Sequence, residues 1–81
     1  MRLDKFLKNS RVIKRRTLAK EACDAGRITV NGRVAKASTE VNTGDILEIS
    51  FGTGILKIEA LELIDGAKKV DTENMYKILE N

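Results

Sequence analysis

The apolar residues of this chain change period at Gly26, and that change limits the folds open to it. Before Gly26, Leu3, Phe6 and Leu7 fall at the i, i+3, i+4 spacing of one helix face, and Leu18, Ala19, Ala22, Cys23 and Ala25 gather on a second helical arc. After it, Arg27-Ile28-Thr29-Val30 alternates with β-branched residues and runs into Asn31-Gly32, the dipeptide favoured in a two-residue type I′ hairpin turn. Two helices followed by antiparallel strands predict an α+β domain.

The breaks between these runs are equally readable. Asn9, Ser10 and Arg11 separate the helices, the second pattern resumes around Arg15, and Gly26 supplies a left-handed cap. Arg33 to Lys36 is the return strand of the first hairpin. Thr43-Gly44-Asp45 turns the chain into a strand at Ile46 to Phe51, Gly52-Thr53-Gly54 turns it again, and Ile55 to Leu63 is its partner, stopped by Asp65-Gly66. Residues 1–65 are thus read as one domain and residues 66–81 as a tail, with a short helix over Asp71 to Leu79 burying Met75, Ile78 and Leu79.

With 81 residues, 42% of them hydrophobic, the chain supports one small core and no second domain. Arg2, Asp4 and Lys5 interrupt the place where a signal peptide needs unbroken apolar residues, and no run is long enough to span a bilayer, so a cytoplasmic protein is expected. The single cysteine, Cys23, sits on the apolar arc of the second helix and is expected to be a small core residue. It leaves neither a disulfide framework nor a multi-cysteine metal site. Histidine is absent, which removes the commonest general base and metal ligand at neutral pH. No catalytic motif, metal site or cofactor is expected, and the chain is read as a monomer without enzymatic activity.

Net charge is only +3, but its distribution is uneven. Residues 1–36 carry eleven basic and three acidic side chains, a net of +8, whereas residues 37–81 carry four basic and nine acidic ones, a net of −5. Such polarisation points to a polyanion at one end. The candidate contacts are Arg2, Lys5, Lys8, Arg11, Lys14, Arg15, Arg16, Lys20, Asn31 and Lys36. Arg16 and Lys20 lie four apart on one helical ridge, and the Asn31-Gly32 turn joins Arg27, Arg33 and Lys36 in a charged rim. Asp4 either orients a basic neighbour or favours the helix N-terminus electrostatically. The acidic tail, Asp71 to Glu80, reads as a solvated face. A basic second helix also fits a DNA-binding helix-turn-helix regulator, although charge spread over helices and hairpin favours RNA.

Taken as an ordered set, Met1-Arg2-Leu3-Asp4-Lys5-Phe6-Leu7, Arg11, Lys14-Arg15-Arg16, Ala19, Gly26 to Gly32, Lys36 and Val41-Asn42-Thr43-Gly44-Asp45 resemble the S-four RNA-binding domain, named after a small-subunit ribosomal protein. The resemblance covers about the first fifty residues. It implies the S-four-like, or alpha-L, fold: two N-terminal helices on a small twisted, mainly antiparallel sheet, with RNA held by the helical face and the first hairpin. The opening Arg-Leu-Asp-Lys-Phe-Leu and the closing Asn74 to Leu79 are similar to stand-alone S-four proteins of ribosome quality control, and also to small heat-shock S-four proteins that recycle stalled large subunits. The first resemblance implies binding to large-subunit ribosomal RNA and peptidyl-tRNA on stalled large subunits. It also implies support of C-terminal alanine tailing with an alanyl-tRNA-recruiting factor. Arg2, Arg16 and Lys20 would lead the RNA contacts. Many members of the family carry Ser at the position of Arg15, so here a capping hydroxyl is exchanged for charge. S-four domains also occur attached to RNA-modifying enzymes, for whose catalytic domain this chain has no room.

Overall fold

The computed structural model describes residues 1–79. Helix α1 (Leu3–Asn9) buries Leu3, Phe6 and Leu7 completely, as its spacing predicts. Each such side chain contributes roughly 1.5–3 kcal/mol by leaving water. The α1 amides of Leu3 and Asp4 donate to the carbonyls of Thr39 and Ala37, so a distant loop satisfies the start of the helix. At the other end Ser10 closes α1, and Arg11 follows in the left-handed region with φ 61°.

Helix α2 (Arg16–Asp24) packs on α1 through Ala19 and Cys23. The apolar arc is narrower than its sequence implied: Ala22 is half-buried, while Leu18 and Ala25 face solvent. A helix this short meets the core along one narrow stripe, and Ala19 and Cys23, four apart, already occupy it. Gly26, at φ 74°, ends α2 in a Schellman turn, with the Gly26 amide donating to the Cys23 carbonyl and the Arg27 amide to that of Ala22.

Strands β1 (Ile28–Val30), β2 (Arg33–Val34), β3 (Ile46–Phe51), β4 (Gly54–Ala60) and β5 (Tyr76–Ile78) form one antiparallel sheet in the order β2-β1-β3-β4-β5. Ile28, Leu47, Ile49, Ile58 and Ala60 line its inner side under the helices, together with Val41 and Met75. On the other side opposite charges stand directly across from each other, Glu48 against Lys57 and Glu59 against Lys77. The Asn31-Gly32 turn forms as predicted, with φ of 52° and 83°.

The tail departs from its predicted helix. A short 3₁₀ helix spans Lys69–Asn74, Met75 enters the core, and residues 76–78 become β5 rather than continuing the helix. Ile78, expected to be buried, is largely exposed at the sheet edge, and Leu79 is half-buried. Pairing with the free edge of β4 decides the outcome, because that edge satisfies the tail's backbone groups that face it over residues 76–78. Glu80 lies outside the described residues. No helix among the described residues is long and apolar enough to cross a membrane.

Candidate nucleic-acid interface

Asp4 organises the basic end of the molecule. Its carboxylate is nearly buried, with 4% of the side chain exposed, and accepts from two arginines of different elements. Arg2 donates through Nε to Oδ1 at 3.2 Å and through Nη2 to Oδ2 at 3.4 Å, and Arg16 donates through Nε to Oδ2 at 3.3 Å. The Lys5 amide adds a fourth bond at 2.8 Å. Burial alone would raise the carboxyl's pKa. The Arg16 hydrogen bond, the Lys5 amide and the charges of Arg16 and Arg2 outweigh it and hold Asp4 below its ordinary value. Both arginine side chains are half exposed, and neither guanidinium uses all of its donors on Asp4, so each has donors left for an external anion. Its bonds serve both roles open to Asp4, orienting two basic neighbours and accepting an amide in the first turn of α1.

Beside this pair runs a groove of about 510 Å³ between the α2 C-terminal half and the 34–38 segment, lined by three cations, Arg2, Lys20 and Lys36, and one carboxylate, Asp24, with Ala35 and Ser38 among the rest. Arg2, Arg16, Lys20 and Lys36 are therefore drawn to one side by a shared carboxylate and a shared groove. Cys23 borders the groove as a buried thiol, and burial together with the charges of Asp4 and Asp24 pushes its pKa up to about 11. Protonated at neutral pH, it has no nucleophilic role.

The other predicted contacts divide. Lys8, Arg11 and Lys14 line a second hollow, of about 430 Å³, with Asn9 and Ala67. Lys5 points to neither, since its Nζ lies 2.8 Å from Asp65 Oδ1, and the bond and charge of Lys5 hold the Asp65 carboxyl below its ordinary value. Arg15 is the exposed N-cap of α2 and makes no side-chain capping bond, as the loss of a hydroxyl there implies. Asn31 is committed to the fold: its Nδ2 donates to Asp45 at 3.1 Å, and its Oδ1 accepts from the Ile46 amide at 2.9 Å. Sequence reasoning overlooked Asp65 and Ala67, and nothing in their local pattern ties them to α1, some sixty residues earlier.

The S4 domain family model matches residues 1–47, the helices, the first hairpin and the start of β3. The chain belongs to the S4 domain family. Among curated S4 relatives, the RQC P-site tRNA stabilizing factor of Bacillus subtilis is 56% identical over 80 residues, covering 99% of this chain and 93% of that protein. The protein of the same name from Streptococcus pneumoniae is 54% identical, covering 98% and 90%. Among solved structures, the trimeric heat shock protein 15 of Vibrio cholerae superposes with a TM-score of 0.90 at 28% identity, covering 98% of this chain and 81% of that one. The solution structure of the hypothetical protein HP1423 gives 0.85 at 34% identity, covering 100% and 99%. The match to the S4 model thus spans all of Arg2, Arg16, Lys20 and Lys36, whereas the strands that complete the sheet, β4 and β5, lie beyond it.

Proposed function

We propose that this S4 protein binds large-subunit ribosomal RNA and peptidyl-tRNA on stalled large subunits and so supports ribosome quality control and C-terminal alanine tailing. The observation that carries the reading is the pair of half-exposed arginines, Arg2 and Arg16, fixed on one buried carboxylate beside the Lys20–Lys36 groove. Phosphate binding depends on such charge density, and prior fixation lowers the entropy lost when the anion arrives. The names of relatives at 54–56% identity, RQC P-site tRNA stabilizing factor, support the choice of ligand. In this reading the protein acts in the cytoplasm as a monomer, cooperates with an alanyl-tRNA-recruiting factor, and makes or breaks no covalent bond. Arg2, Arg16, Lys20 and Lys36 are the principal RNA contacts, and Lys8, Arg11, Lys14 and Arg15 extend them.

The test is co-sedimentation of Arg16→Ala with purified large subunits across a salt series. Affinity should fall, and the slope of log K against log salt should become shallower by about one, because one phosphate contact is gone. Unchanged sedimentation would reject the assignment, and a preference for duplex DNA over structured RNA in competition would replace it with the DNA-binding reading. The likeness to heat shock protein 15 supports a second reading, a factor that recycles stalled large subunits. Alanine tailing that proceeds normally without the protein would favour it.

A further inference from the structure

Helix α2 has a second surface that the RNA reading leaves unused. At about 100° per residue, Leu18, Ala22 and Ala25 fall roughly opposite the ridge that carries Arg16 and Lys20. They line a groove of about 370 Å³ between α2 and the end of β3. Its helix wall presents Leu18, Glu21 and Ala22, and its sheet wall Arg27, Ile49 and Phe51. The two strands of that wall are tied together, since the Ser50 amide donates to the Arg27 carbonyl at 2.8 Å.

Two observations bear on what fills this groove. Leu47, Ile49 and Phe51 alternate onto the inner side of the sheet, yet only the first two are buried. Phe51 on one wall and Leu18 on the other are each 47% exposed. Apolar anchors inside a polar rim are the anatomy of a contact between proteins. RNA is a poor occupant, because the groove offers a phosphate one cation and sets a carboxylate across from it. That carboxylate, Glu21, and that cation, Arg27, are both exposed, and among the described residues neither has an opposite charge within 4.0 Å.

A groove with an unpaired acid on one wall and an unpaired base on the other is complementary to itself. A two-fold axis sets the helix wall of one copy against the sheet wall of the other, so Glu21 meets Arg27 twice and Leu18 meets Phe51 twice. We propose that this groove docks a second copy of the chain, making a symmetric dimer of the free protein. The proposal goes beyond the function given above, in which one copy works on the large subunit. Arg16 and Lys20 lie on the far side of α2 and stay open to RNA in either form. A contact this small is transient.

Sedimentation equilibrium of the full chain at roughly 10 µM to 1 mM reads such an association. The apparent mass should climb from one chain towards two, and amide shifts that change on dilution should map to Leu18, Ala22 and Phe51. Glu21→Arg alone and Arg27→Glu alone each set like charges against each other at both symmetric contacts, and should weaken the dimer roughly tenfold or more. Mixing the two variants restores opposite charges at both contacts, as does the double variant Glu21→Arg/Arg27→Glu, so association should return in each. Both positions are exposed, and circular dichroism checks that every variant is folded. A single-chain mass throughout the range, dilution shifts that map elsewhere, or charge exchange that fails to restore association would overturn the proposal.

Discussion

Arg11→Gly should raise stability and weaken RNA binding together, two effects that a surface substitution seldom combines. Arg11 holds φ 61° one residue past the C-cap of α1, where glycine is the usual occupant. A left-handed backbone costs a residue with a Cβ roughly 1–2 kcal/mol. Glycine removes that cost but loses about 0.5–1 kcal/mol more backbone entropy on folding. The net gain is about 0–1.5 kcal/mol, centred on ~0.8, a rise in Tm of roughly 3–6 °C at that centre for a domain of this size. The same change deletes a guanidinium from the hollow, so binding to large subunits should weaken and the salt slope fall by about 0.7–0.9. Thermal unfolding by circular dichroism and salt-dependent sedimentation measure the two effects separately. Arg11→Ala is the control, since it removes the charge but keeps the backbone cost and should show the binding loss without the stabilisation. A lower Tm for the glycine variant would refute the account of backbone strain, and unaltered binding in both variants would refute the placement of Arg11 at a phosphate.

Asp4→Asn should destabilise the fold by about 1–2 kcal/mol in urea titrations at neutral pH, a value reduced because both arginine partners are half exposed. The pH dependence has a definite sign. The folded Asp4 pKa lies below its ordinary value, so its contribution is fully present above the unfolded pKa and is lost as pH falls through the folded one. The wild type's advantage over the Asn variant should therefore shrink as the solution is acidified below the ordinary carboxyl range, and an advantage unchanged by acid up to the point of unfolding would contradict this. Asn31→Ala should cost about 1–2 kcal/mol, since it strands the Ile46 amide and places alanine at positive φ, while RNA affinity stays near wild type once folding is controlled for. A large, selective loss of binding would restore Asn31 to the interface. Cys23 should resist maleimide in the native protein at pH 7 and react once urea unfolds it; rapid native labelling would contradict a buried thiol with its pKa near 11.

Much of this architecture is legible in the sequence, because local rules and tertiary packing agree where it is so. Leu3, Phe6 and Leu7 mark α1, Gly26 ends α2, and Asn31-Gly32 turns the first hairpin, each by a mechanism confined to a few neighbouring residues. The tail is not legible, for the opposite reason. Tyr76 to Ile78 form too short a run to declare a period, and only the waiting edge of β4 makes them a strand. Leu18 counted as core by helical spacing alone, although Ala19 and Cys23 fill the contact with α1. At the interface, the gathering of Arg2 and Arg16 could be anticipated from charge, but the carboxylate that fixes them required the mutual position of two helices. The Lys5–Asp65 pair joins residues sixty apart, and no local pattern encodes it.

The far side of the sheet bears on how the molecule seats itself. Glu48 sits opposite Lys57 and Glu59 opposite Lys77, so each charge there has a counter-charge one strand away. Paired charges of this kind offset one another locally, and with a net of −5 over residues 37–81 this side exerts no pull on nucleic acid. A particle gripped strongly in front and hardly at all behind can enter a crowded ribonucleoprotein crevice in one orientation, and its indifferent back leaves it free to come out again when the tenant RNA moves on.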